Sequence, residues 1–190
     1  STFTAEYAEQ QAASGTAFSF DTTLVNNKGT EQSYSLSAEA PEGWQVTFTP
    51  SGESNAVASL NVDAGASQGI TVSVTPPETL TQGDYTIPIS AISSSEKLTE
   101  ELKITITGSY SVEVSTPSGN LSVDAYANDK KAVTLSITNT GNVDLTNLNL
   151  TSSAASNWDI SFDESTIDLL EAGATKEVTA YITPDSDAIT

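Results

Sequence analysis

Apolar residues recur at every second position along most of the chain. Phe18, Phe20, Thr22 and Leu24 alternate with polar or smaller residues, as do Trp44, Val46 and Phe48, then Ile70, Val72 and Val74. Tyr85, Ile87, Ile89 and Ala91 form another run, followed by Leu102, Ile104 and Ile106. The second half keeps the habit: Val133, Leu135, Ile137; Trp158, Ile160, Phe162; Val178, Ala180, Ile182. Alternation with period two puts successive side chains on opposite faces of a strand, so each run predicts a strand with one buried face. Turn-forming residues separate the runs: Asn27-Lys28-Gly29, Pro41-Glu42-Gly43, Ala64-Gly65-Ala66 and Thr140-Gly141-Asn142. Short strands at roughly ten-residue spacing predict an all-β sandwich. Residues 3–14 and 164–170 could each hold a turn or two of helix, but neither is capped, so both read as strand plus loop. Pro88 interrupts a good strand, which predicts an edge strand or a missing N–H that points outward.

The pattern repeats. Leu24-Val25-Asn26 matches Ile137-Thr138-Asn139, and Trp44-Gln45-Val46-Thr47-Phe48 matches Trp158-Asp159-Ile160-Ser161-Phe162. Ala64-Gly65-Ala66 matches Ala172-Gly173-Ala174, and Val74-Thr75-Pro76 matches Ile182-Thr183-Pro184. The offsets are 113, 114, 108 and 108 residues, the change falling in a longer loop after Phe48. Four blocks in one order predict two tandem immunoglobulin-like β-sandwiches, residues 1–108 and 109–190. The first copy continues past Thr75-Pro76 into the runs at Tyr85 and Leu102, whereas only six residues follow Pro184. Within these residues the second sandwich is therefore expected to lack its last two strands and to expose a sheet edge, to be covered by another chain or by the remaining strand of this one.

Composition narrows the chemistry. The 190 residues carry a net charge of −19, from 25 acids against six lysines, with no His, Cys, Met or Arg. That excludes Ser-His and Cys-His nucleophiles, ordinary zinc sites and bidentate arginine clamps. It also predicts repulsion from nucleic acid and from anionic lipid. Residues 1–108 carry −10 and residues 109–190 carry −9, so the acidity belongs to both halves. Charged residues are only 16% of the chain, and Ser, Thr, Asn and Gly fill much of the rest, which suits strands and turns. No apolar run approaches the ~20 residues of a spanning helix. The absence of Cys leaves both the cytosol and the bacterial exterior open.

Several residues invite functional readings. Trp44 and Trp158 could stack on a sugar, but each shares a strand face with an apolar residue and a Phe, so both are expected in the core. Tyr85 and Tyr181 are expected at core or edge positions. Asp159, Asp163, Glu164 and Asp168 are weak calcium candidates, and Asp185-Ser186-Asp187 forms a second acidic group, but neither has the spacing of a calcium loop. No metal or cofactor is therefore assigned, and the acids read as solvated surface. A glycosidase pair of carboxylates needs a cleft that a sandwich of ~108 residues does not provide. Ser94-Ser95-Glu96-Lys97 fits Ser-x-x-Lys by chance in a polar turn, and Asn120 and Asn149 sit in formal glycosylation sequons.

Asn26 with Gly29, Pro41-Glu42-Gly43-Trp44, Phe48, Thr75-Pro76-Pro77 and Gly83-Asp84-Tyr85 together resemble the α-galactosidase-associated (NPCBM-associated) immunoglobulin-like domain. In the second half the matching residues are Asn139, Gly141, Trp158, Phe162 and Thr183-Pro184, with Ala155-Ser156-Asn157 in place of Pro-x-Gly. The resemblance implies a module without catalytic residues of its own. Such modules lie beside the catalytic domain of secreted glycoside hydrolases, or in tandem in prokaryotic surface proteins ahead of a membrane helix. The expectation is a non-catalytic extracytoplasmic spacer or interaction module, anchored by a helix beyond these residues. Its partner would be a protein or polysaccharide at the cell surface, with neither nucleic acid nor direct membrane contact. A carbohydrate-binding accessory and a calcium-dependent adhesion module are the alternatives.

Overall fold

The computed structural model describes residues 1–188 as an all-β protein of immunoglobulin-like sandwich architecture. The chain divides into two compact units, Ser1–Gly108 and Ser109–Thr190.

The first unit contains β1 (Thr2–Ala5), β2 (Glu9–Ala13), β3 (Phe18–Val25), β4 (Gln32–Ala38), β5 (Gln45–Pro50), β6 (Ser59–Val62), β7 (Ser67–Thr75), β8 (Gly83–Ile92) and β9 (Lys97–Thr107). One sheet has the order β1-β3-β7-β5, the other β2-β9-β8-β4-β6. The first strands change sheets: β1 pairs antiparallel with β3, and β2 crosses over to pair parallel with β9. The alternating runs meet between the sheets. Phe18, Phe20, Thr22 and Leu24 of β3 and Ile70, Val72 and Val74 of β7 face Ile87, Ile89 and Ala91 of β8 and Leu102, Ile104 and Ile106 of β9, all buried. Thr22, the polar member of the set, donates its hydroxyl to the Ile70 carbonyl at 2.7 Å, which removes the cost of burying it.

β8 is a central strand, flanked by β9 and β4. Pro88 is tolerated because the β4–β8 register ends at Ala38↔Ile89, one residue short of it. The Pro88 carbonyl accepts from the Glu39 N–H at 2.8 Å, so its nitrogen also faces the point where β4 leaves the sheet. Of the two positions the sequence allowed for this proline, the edge strand is thus not the one adopted.

The second unit contains β10 (Val112–Ser115), β11 (Lys131–Asn139), β12 (Leu145–Asn149), β13 (Trp158–Phe162), β14 (Thr166–Leu170) and β15 (Thr175–Pro184). Its first sheet, β10-β11-β15-β13, has the strand order of β1-β3-β7-β5. Its second sheet is the pair β12-β14, which corresponds to β4-β6. Counterparts of β2, β8 and β9 do not occur among the described residues. The core shrinks accordingly to Ile137, Ile167, Leu170 and Val178, with Leu145, Leu148, Leu150 and Phe162 half-buried against it. Asn147 adopts φ 53°, and it and Asp168 opposite it are both absent from the β12–β14 register.

Both ambiguous segments are strand and loop. Residues 3–14 run through β1 and β2, and residues 164–170 enter β14.

Candidate functional site

Two local devices recur in both units. Asn26 is fully buried at the end of β3. Its amide donates to the carbonyls of Thr30 (2.9 Å), Val62 (2.9 Å) and Asp63 (3.1 Å), while its side-chain oxygen accepts from the Lys28 N–H at 2.9 Å. Asn139 does the same in the second unit. It donates to Val143 (2.8 Å) and Leu170 (3.0 Å) and accepts from the Gly141 N–H at 3.0 Å. Each asparagine clasps one sheet to the other, because its backbone belongs to one and its side chain holds the end of a strand in the opposite one. Gly141 is confined further: a Cβ there would collide with the Ser109 carbonyl oxygen.

The second device is the turn before each tryptophan. The Trp44 N–H donates to the Pro41 carbonyl at 3.2 Å and the Trp158 N–H to the Ala155 carbonyl at 3.3 Å. The third residue of each turn has positive φ, 84° at Gly43 and 70° at Asn157. Asparagine is among the few non-glycine residues that enter the left-handed region readily, so the departure from Pro-x-Gly preserves the turn.

The tryptophans are less buried than the sequence predicts. Trp44, just before the edge strand β5, packs half-buried against the core of the first unit, and Trp158, on the edge strand β13, is half-buried. Trp44 packs on Tyr85 with ring centroids 5.2 Å apart and borders a groove of about 450 Å³ lined by Leu36, Ala38, Ala40, Val46 and Ala58. The Tyr85 hydroxyl is tied to the Thr81 carbonyl at 2.9 Å. Trp158 lines a smaller cleft of about 280 Å³ with Asn128, Asn157 and Pro184. Tyr181 carries the Lys130 ammonium 4.2 Å above its ring.

A polar cluster that sequence reasoning missed closes one end of the first unit. The buried Tyr34 donates its hydroxyl to Glu96 at 2.7 Å, and Lys28 pairs with the other Glu96 oxygen at 3.3 Å. Hydrogen bonds from the Ser1 side chain, then from Tyr34, with Lys28 alongside, lower the Glu96 pKa from 4.5 to about 2. Burial, reinforced by Glu96, raises that of Tyr34. The partners are 62 residues apart, and only the β8–β9 turn brings them together. Ser94 lies in that turn and Lys97 opens β9, so the nucleophile geometry of a helix is absent there.

The acidic candidates are engaged locally. Asp163 accepts from the N–H groups of Glu164 (2.8 Å) and Thr179 (2.9 Å), and Glu164 pairs with Lys176 at 2.9 Å, which raises the lysine pKa. Asp159 and Asp168 are exposed on β13 and β14. Among the described residues no three of these carboxylates, or any others, gather as a metal site. Asp185 caps Ser186 at 2.7 Å. Asn120 is exposed in a loop, and Asn149 accepts from the Thr166 hydroxyl at 3.2 Å.

These features define a β-sandwich protein whose distinctive local structures are turns, clasps and surface grooves. The chain belongs to the family described as NPCBM-associated, NEW3 domain of alpha-galactosidase, which matches residues 12–93 and 125–190. The family is an accessory domain and not a catalytic one. No curated protein matches the chain. Among solved structures, a family 123 glycoside hydrolase from Clostridium perfringens is 12% identical with a TM-score of 0.41 over 52% of this chain. The chain spans 22% of that protein's length. The E. coli chaperone DraB is 10% identical (TM-score 0.37, 93% of this chain and 83% of that one). The Pseudomonas aeruginosa CupB2 chaperone is 12% identical (TM-score 0.37, 92% and 87%). No helix among the described residues is long and apolar enough to cross a membrane.

Proposed function

We infer that the chain is an extracytoplasmic spacer and interaction module of a membrane-anchored prokaryotic surface protein. The observation that carries this reading is the match of two successive segments to one accessory family. A shared acidity of −10 and −9 supports it, since a strongly negative module stays soluble and clear of anionic surfaces. The reading is tested by fractionating the native host with an antibody against this chain. Recovery with the membrane, and digestion of the chain by protease added to intact cells, is the expected result. Recovery in the cytosol would sink the reading.

A second reading, a carbohydrate-binding accessory of a secreted glycoside hydrolase, is favoured by the half-buried Trp44 at its groove. Isothermal titration with galactans and cell-wall polysaccharides decides between the two. Heat that saturates with a glycan and disappears in Trp44→Ala supports the accessory, and silence at millimolar sugar excludes it.

A further inference from the structure

The groove beside Trp44 stays open although β8 and β9 are in place, so it is a property of a sandwich whose two sheets both have their strands. It runs between two strand edges, and the register fixes which backbone groups face it. The Ser51 N–H donates to the Gly69 carbonyl at 2.9 Å, so Gln45, Thr47 and Thr49 bond towards β7 while Val46 and Phe48 point the other way. The Phe48 carbonyl accepts from the Val57 N–H at 2.8 Å. On the opposite wall the Glu39 N–H goes to Pro88 of β8, whereas the Leu36 N–H turns away from β8 to the Ala58 carbonyl at 2.8 Å. Ala38 follows Leu36 in direction. Val57 and Ala58 thus bond main chain to both edges and stop short of Val46 and Ala38. Among the described residues no backbone group meets the outward N–H and carbonyl of either.

The lining decides what could meet them. Leu36, Val46 and Phe48 make an apolar floor, Trp44 stands half-buried beside it, and alanines keep the walls low. No carboxylate, amide or basic side chain lines the groove, and Ser37 and Thr47 supply its only side-chain hydroxyls. A sugar would leave most of its hydroxyls unmatched there, whereas an extended main chain finds its own kind of partner. Charge adds a second requirement. Residues 36–58 hold Glu39, Glu42 and Glu53, all exposed, and no lysine. That field draws a cation, and an indole face is the best aromatic acceptor for one.

We propose that this groove docks an extended, basic segment of another protein. Its backbone adds to the β5 edge at Val46, small aliphatic side chains at alternate positions enter the groove, and a Lys or Arg reaches Trp44 and the glutamates. Main-chain bonds supply affinity, and the alternate side chains supply selectivity. A second copy of this chain, at −19, is repelled. This assignment rests on the reading of the chain as an interaction module and names the chemistry of its partner.

The test uses the full chain, amide NMR and two end-blocked peptides, Lys-Val-Thr-Val-Thr-Lys-Thr and the same sequence with Glu for each Lys. Expected is saturable one-to-one binding of the basic peptide, about tenfold or more tighter than the acidic one at low salt, with the gap narrowing as salt screens it. Shifts and slowed exchange should centre on Val46 and Trp44. Glu39→Gln with Glu42→Gln should remove most of the preference for the basic peptide. Val46→Pro deletes one edge donor and should weaken binding about tenfold. The glutamine variant keeps the test decisive if Val46→Pro unfolds the unit. Silence of both peptides at millimolar concentration, equal affinity for the two, or shifts elsewhere on the chain would each overturn the proposal. So would a galacto-oligosaccharide that moves these amides while the peptides do not. Silent peptides together with recovery of the chain at the cell surface would overturn this partner alone, whereas cytosolic recovery would sink the surface reading itself.

Discussion

Glu96 shows how one residue can hold distant strands together through its charge. Its carboxylate is stabilised in the folded state, with the pKa lowered from 4.5 to about 2 by Ser1, Tyr34 and Lys28. A depressed carboxylate contributes stability above its unfolded pKa and loses it as pH falls towards the folded one. Glu96→Gln is therefore less stable than the parent at pH 7, and the gap closes between about pH 4.5 and about pH 2. Urea midpoints taken across that range check it. Asn26 carries a different load, because its amide satisfies three carbonyls at once. Asn26→Ala leaves buried acceptors without a donor and should cost about 3 kcal/mol by denaturant titration. The sequence marks Asn26 and Asn139 as matched positions of the repeat beside a turn but not as buried clasps. An Asn before a Gly turn reads alike whether its side chain meets water or the end of a strand far along the chain. The Tyr34–Glu96 bond is equally illegible, since no local pattern links positions that only strand pairing joins.

At the level of elements, the alternating runs were legible because burial on one face imposes period two, and β3, β7, β8 and β9 bury the expected residues. The turn before each tryptophan adds a prediction about backbone. Asn157→Gly should leave stability nearly unchanged, whereas Asn157→Ala forces a β-carbon into the left-handed region without compensation and should cost about 1 kcal/mol, read from the thermal midpoint of the second unit. The half-burial of Trp44 and Trp158 was not legible. Alternation shows which face a residue shares but not that β5, which Trp44 precedes, and β13, which Trp158 opens, end their sheets. Core depth differs between the units in the same way. Ile104→Ala, at a site with no exposure, should cost about 2–5 kcal/mol. Ile160→Ala, on the half-covered face, should cost only about 1 kcal/mol. Denaturant titrations of the two variants make the comparison.

For the whole molecule, charge exerts an influence that no single contact reveals. Only three ion pairs occur among the described residues, against a net charge of −19, so most acids repel one another across solvent. Raising the salt from about 10 mM to about 500 mM shortens the screening length several-fold and should raise the melting temperature by a few degrees. A fall on adding salt would mean that the ion pairs outweigh the repulsion. Scanning calorimetry at the two ionic strengths distinguishes these outcomes.

Period-two alternation and turn chemistry determined the strands, and matched blocks at a near-constant offset determined that the two halves share a plan. Both are local or repetitive signals, written in residues close together or copied in order. Strand order, the crossing of β2 to the second sheet, the buried work of Asn26 and the depth of each tryptophan depended on pairings between distant segments, which no window of sequence contains. The apolar groove of the second unit, lined by Val133, Leu135, Ile160 and Ile182, belongs to both levels. The sequence predicted the alternating residues that line it, and only the tertiary structure brought β11, β13 and β15 together to form it.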